Sequence, residues 1–146
     1  MNLLYKLSVI LLVVLISCNE NGKAKKETES NNSVQSKSEF DKIKLTELNG
    51  KSFDLHQYKG KTIFINFWAT WCKPCIQELP FIEKAMNQLN DEDIVFLFAS
   101  NEAAEEIEQF KKNHSYKFHY VQLHNLEELN IMTLPTTYIF NPDGEL

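Results

Sequence analysis

The chain contains no arginine; all 15 of its basic side chains are lysines. The planar five-donor fork that clamps phosphate or carboxylate groups is therefore missing. Acidic residues number 20, for a net charge of −5. That balance makes nucleic acid, whose binding depends on neutralising phosphates, a poor partner. Glycine is as sparse, at 4 residues with no two adjacent, so no glycine-rich loop exists to cradle a nucleotide, and no internal repeat is visible. Cysteine is limited to 3 residues. Their placement carries most of the information in the chain.

The first cysteine closes the one long apolar run. Lys6 supplies a positive charge, Leu7 to Ile16 is apolar, and Leu15-Ile16-Ser17-Cys18 ends the stretch. The run is about ten residues, short of the roughly 20 that span a bilayer as a helix. It resembles a bacterial lipoprotein signal, with a retained membrane anchor as the alternative. The resemblance implies cleavage before Cys18, a lipid on its thiol, and a location in the cell envelope, facing the periplasm or the extracytoplasmic space. Residues 19–38 follow as Lys, Glu, Asn and Ser with Ala24 and Val34 as the aliphatic exceptions. Such a segment buries too little surface to order itself and is expected to be a flexible tether with a reach of about 25 Å. One domain is expected over residues 39–146, carrying 10 lysines against 17 acidic residues.

The other two cysteines lie in Trp71-Cys72-Lys73-Pro74-Cys75. Before them runs Thr62-Ile63-Phe64-Ile65-Asn66-Phe67-Trp68, a β-branched and aromatic stretch that reads as a strand buried on both faces. After them Cys75, Leu79, Ile82, Met86 and Leu89 recur at helical spacing, predicting a helix to about Asn90 with those residues on one face. The pair thus sits where a strand passes into a helix N-terminus. Free backbone N–H groups, the helix dipole and the Lys73 cation all favour a thiolate at Cys72. Cys72 is expected to be the nucleophile. Cys75, a turn further in, is expected to attack the resulting mixed disulfide. Pro74 suits an early helical position, where its missing N–H costs little. Half a zinc site is the competing reading of two such cysteines. It needs two more ligands, and His114, His119 and His124 are spaced five apart, which suits no ligand pair, so no metal is expected. Covalent haem needs a histidine where Ile76 stands.

Elsewhere, alternation around Ile43–Leu45 and Phe53–Leu55, with Asn49-Gly50 between, predicts a hairpin. Ile94 to Phe98 reads as a second buried strand, completing a βαβ unit. Glu102 to Lys112 reads as a helix with Ala103, Ile107 and Phe110 inward. Phe118–Val121 reads as a short strand, Leu126–Leu129 as a helical turn, and Thr136–Phe140 as a strand entered through Pro135.

Taken with the cysteine motif, this pattern resembles the thioredoxin-like fold of the TlpA/ResA-type membrane-anchored thiol–disulfide oxidoreductases. Lys59-Gly60-Lys61, Asn66 to Cys75, Glu78-Leu79-Pro80 and Leu134-Pro135-Thr136-Thr137 carry the resemblance. It implies an α/β fold with a central mixed sheet flanked by helices, and a cis Leu134–Pro135 bond beside the disulfide. Trp71, Lys73, Pro74, Leu134 and Pro135 would support the site and the bound substrate. Glu78 matches an acidic position able to move protons, although an ordinary first-turn glutamate fits the residue equally. Pro80 is expected to bend the helix. Asn66 stands where ordinary thioredoxins carry a buried aspartate, and Lys73 is expected to make the couple more oxidising than a Gly-Pro version. Family members continue beyond a turn like Asn141-Pro142-Asp143-Gly144 with a last strand and a C-terminal helix. The chain is expected to lack both, leaving the Thr136–Phe140 edge open.

The function implied is reduction of protein disulfides in the envelope, with apocytochrome c cysteines as one substrate class and a membrane thiol as electron donor. No cofactor is required, since the two sulfurs carry both electrons. Two other readings are a thiol peroxidase on the same fold and a non-catalytic lipoprotein binding module in which the disulfide is a staple.

Overall fold

The computed structural model describes residues 39–89 and 93–146. The expected signal with its lipidated Cys18, the tether, and the helix end at Asn90 lie outside the described residues. Within them, the chain runs β1 (Leu45–Glu47), β2 (Ser52–Phe53), a 3-10 turn (Leu55–Tyr58), β3 (Thr62–Phe67), α1 (Lys73–Leu89) and β4 (Ile94–Ser100). It continues through α2 (Ala104–Asn113), β5 (His119–Leu123), a second 3-10 turn (Leu126–Leu129) and β6 (Thr136–Phe140).

The strands form one mixed sheet in the order β2-β1-β5-β4-β3-β6. β3, β4 and β5 are parallel neighbours, as crossovers through α1 and α2 require, while β1 and β6 run antiparallel to their partners. The hairpin between β1 and β2 turns through Leu48-Asn49-Gly50. Gly50 adopts φ 84°, a left-handed conformation that suits glycine, and its N–H reaches the Glu47 carbonyl at 2.8 Å.

Alternation along the strands divides the core into two layers. Ile63, Ile65, Phe67, Leu97, Ala99, Val121, Leu123 and Phe140 bury one face against Phe40, Leu55 and Leu129. Phe98 and Tyr120 line the other face with Trp68, and α1 and α2 pack there through Cys75, Leu79, Ile107 and Phe110. The cysteine pair is thereby built into a core layer.

Several local expectations change. Leu55 belongs to a 3-10 turn, started by Asp54, whose carboxylate accepts the His56 N–H at 2.8 Å. That bond holds the Asp54 carboxyl below its usual range, and the facing His56 ring adds to the effect. α2 begins at Ala104, and Ala103 is an exposed N-cap whose N–H is taken by Glu106 at 3.1 Å. Glu102 is outside the helix, so its side chain is free for another task. Leu89, at the last turn of α1, is 53% exposed. With Phe64, Phe81, Ile82, Phe96 and Ile139 it lines an apolar groove of about 500 Å³ beside β6. β6 is one of the two edge strands of the described sheet, β2 being the other.

Candidate active site

β3 ends at Phe67, and five residues carry the chain to α1. The Trp68 N–H is still held by the Ala99 carbonyl of β4 at 3.1 Å, and the Cys72 N–H closes a tight turn onto the Ala69 carbonyl at 3.1 Å. This delivers Cys72 to the residue before the helix. There Cys72 is bonded to Cys75, with Cα atoms 5.2 Å apart. The Cys72 sulfur also accepts the Cys75 backbone N–H at 3.3 Å, and its carbonyl accepts the Ile76 N–H at 3.1 Å. Cys72 therefore caps α1, and negative charge on its sulfur faces a free amide and the positive end of the dipole. Cys72 is 4% exposed and Cys75 is 0% exposed. Trp71, Lys73 and Pro74 are exposed around them, with Pro74 as the second residue of α1.

A polar network lies within the otherwise apolar layer. Asn66 of β3 is fully buried, and its Nδ2 donates to the Glu78 carboxylate at 2.8 Å and to the Thr137 hydroxyl at 3.1 Å. Its Oδ1 is buried with no hydrogen-bond partner. Glu78 is thus engaged with the sheet, which distinguishes it from a first-turn glutamate facing only the helix amides. Thr137 follows the Leu134–Pro135 bond, which is cis. Leu134 packs on the same apolar cluster as both cysteines. Strand β6, which starts directly after Pro135, and the helix carrying Cys75 are joined through Asn66. Pro80 lies inside α1.

The aromatic and histidine residues near the site are packing. Trp68 sits 4.7 Å from Phe110 and 5.4 Å from Tyr120, ring to ring, and Phe98 stacks on Phe118 at 3.9 Å. The series Phe110, His114, Tyr116 and Phe118 continues that stack toward the surface. Burial, with Tyr116 and Glu83 nearby, pushes the Tyr120 hydroxyl well above its usual range. It stays neutral as part of a rigid platform beneath the loop.

One further residue joins the site unannounced by the sequence. The Glu102 carboxylate accepts the Thr70 N–H at 2.7 Å and the Thr70 hydroxyl at 2.5 Å, two residues before Cys72. At the head of an acidic run, Glu102 reads as a helix start. Its link to Thr70 spans 32 residues, and no local pattern reports it.

The model of the Redoxin family matches residues 29–140. Thiol-disulfide oxidoreductase ResA of Bacillus subtilis is 29% identical over 118 residues, covering 78% of this chain and 66% of ResA. A Bacteroides vulgatus crystal structure assigned as a thiol-disulfide oxidoreductase superposes with a TM-score of 0.65 at 30% identity, covering 70% of this chain and 76% of that one. The exposed lipoprotein thioredoxin Etrx1 of Streptococcus pneumoniae superposes with a TM-score of 0.58 at 26% identity, covering 70% of this chain and 83% of that one. The chain spans 66% or less of the length of the ResA proteins it matches. With a mixed sheet, a cis proline before the last described strand and a disulfide capping the first long helix, the chain belongs to the Redoxin family and, within it, to the TlpA/ResA-type thioredoxin-like proteins.

Proposed function

We propose that the protein is a thiol–disulfide oxidoreductase that reduces protein disulfides in the bacterial cell envelope, tethered there by a lipid on Cys18. The observation that carries the activity is the Cys72–Cys75 disulfide at the start of α1, with the Cys75 amide directed at the Cys72 sulfur. In the reduced protein that amide and the dipole stabilise a Cys72 thiolate. The thiolate attacks one sulfur of a substrate disulfide, forming a mixed disulfide and releasing the first substrate thiol. Cys75 gives up its proton and attacks the Cys72 sulfur, breaking the mixed disulfide, forming the Cys72–Cys75 disulfide and releasing the second substrate thiol. Two electrons pass from the pair to the substrate, and a membrane thiol donor returns them. Apocytochrome c cysteines are one substrate class that the resemblance to ResA implies. A lipoprotein among the structural relatives is consistent with the Cys18 anchor.

The deciding experiment is the reduction potential of the pair, measured by equilibration with glutathione and trapping of free thiols. A value between about −200 and −300 mV is expected, the range of thioredoxin-type reductants. A pair that stays oxidised far below it is a structural staple, and one near −120 mV is an oxidant.

Glu78 is assigned to accept the Cys75 proton, since it lies one helical turn on and is oriented by Asn66. Glu78→Gln keeps an oxygen for Asn66 and loses the proton acceptor. It is expected to slow the second step by about a hundredfold, the low end of general-base contributions. Initial alkylation of Cys72 should remain at the wild-type rate. Equal slowing of both steps would reject the assignment.

A further inference from the structure

We infer that Glu102 is a positioning residue for the redox-active loop, acting on Cys72 through Thr70. The inference rests on the reading of Cys72 as the exchanging thiol.

The Glu102 carboxylate accepts three hydrogen bonds, two from Thr70 and one from the Ser100 hydroxyl at 2.8 Å. Hydrogen bonds to a charged acceptor are about twice as strong as neutral ones. The rest of the residue is held as well. Its N–H meets the Ser100 hydroxyl at 3.2 Å, and its carbonyl accepts the Gln122 amide of β5 at 3.0 Å. Ser100 is 1% exposed, so the anchor is sunk in the sheet. Glu102 therefore joins β4 and β5 to one point of the loop.

That point is where the loop has least other support. Trp68 and Ala69 are buried, but Trp71 is 72% exposed and cannot fix the chain by packing. Glu102 grips Thr70 between the buried pair and Cys72. The partners of this carboxylate are Thr70 and Ser100, neither of them an amide of α2, whose N-cap residue Ala103 gives its N–H to Glu106 instead. Holding Thr70 keeps the turn from Ala69 to Cys72 closed, and with it the Cys72 sulfur in front of the Cys75 N–H.

The sign of the effect separates this role from two others. A carboxylate near a thiolate repels it, so if charge alone mattered, removing Glu102 would stabilise the Cys72 thiolate. If Glu102 were only scaffolding for the fold, its removal would lower the melting temperature and leave the couple unchanged. Lost positioning instead withdraws the amide from Cys72 and destabilises the thiolate.

The test compares the full chain with Glu102→Gln and Thr70→Val. Both the rate of iodoacetamide alkylation of Cys72 at pH 7 and the potential against glutathione are measured. Glutamine cannot accept all three hydrogen bonds, and valine removes the Thr70 hydroxyl while keeping its N–H. Expected for Glu102→Gln is an alkylation rate about tenfold lower and a potential about 30 mV more negative, tenfold in the equilibrium constant of a two-electron couple. Thr70→Val should move both in the same direction by less. Faster alkylation, a higher potential, or no change in either variant overturns the inference. A wild-type pair that glutathione cannot reduce would instead sink the oxidoreductase reading, so the two failures are distinguishable.

Discussion

A Cys75→Ser protein is expected to react once with a protein disulfide and then stop. Cys72 keeps its place before α1 and, at 4% exposure, is the sulfur of the two that a substrate can reach. It can still form the mixed disulfide. The second half-reaction needs a thiol at position 75, which is fully buried and bonded to Cys72 in the oxidised protein. A hydroxyl cannot replace it, because serine is neither ionised at neutral pH nor able to form the new sulfur–sulfur bond. The adduct should accumulate to one equivalent and be visible by non-reducing electrophoresis and intact mass, provided no small thiol is present to resolve it. Turnover should fall to the uncatalysed background. Cys72→Ser should give the same loss of turnover with no adduct, since Cys75 lies beneath the surface. Adducts formed by Cys72→Ser would reverse the assigned order of attack. Full turnover by Cys75→Ser would show that resolution does not require the pair.

The sheet-forming segments and the cysteine turn were legible because their signals are local. The β-branched run of β3, the apolar run of β4 and the 3.6-residue period through Cys75 and Leu79 each report on burial within a few residues. The Asn49-Gly50 turn reports a backbone conformation in two residues. Leu89 marks the limit of such signals: it shares the groove-facing side of α1 with Ile82, yet is 53% exposed. Its period is helical, but whether a helical face meets the sheet at its last turn depends on where the helix axis goes. The polar part of the site was less legible. Asn66 was visible only as a departure from the aspartate of ordinary thioredoxins, and nothing near it in sequence announces Glu78 and Thr137, respectively 12 and 71 residues away. Through its acidic neighbours Glu102 reads as the start of a helix, whereas its partner Thr70 lies just beyond the end of the adjacent strand β3. Long-range side-chain hydrogen bonds leave no periodicity, and they hold much of this site.

Phe98→Ala and Phe81→Ala remove the same side chain and are expected to differ by about 3–4 kcal/mol in stability. Phe98 is fully buried at the centre of the sheet, opposite Asn66 on one side and Tyr120 on the other. Its ring stacks on Phe118 at 3.9 Å and meets Tyr120 at 5.9 Å. These neighbours belong to β strands and a platform of rings that cannot collapse into the space left. Truncation should therefore cost about 3–5 kcal/mol, from lost transfer energy and the cavity together. A typical domain has only about 5–15 kcal/mol in all. Phe81 is 74% exposed on α1, and alanine there should change stability by about 0.5 kcal/mol or less. Urea titration followed by tryptophan fluorescence would measure both, since Trp68 reports on the layer containing Phe98. A large loss at Phe81 would mean that the groove beside β6 is a closed part of the core in solution. A small loss at Phe98 would mean that the layer beneath the cysteine pair repacks freely, and the rigid platform inferred for the redox loop would fall with it.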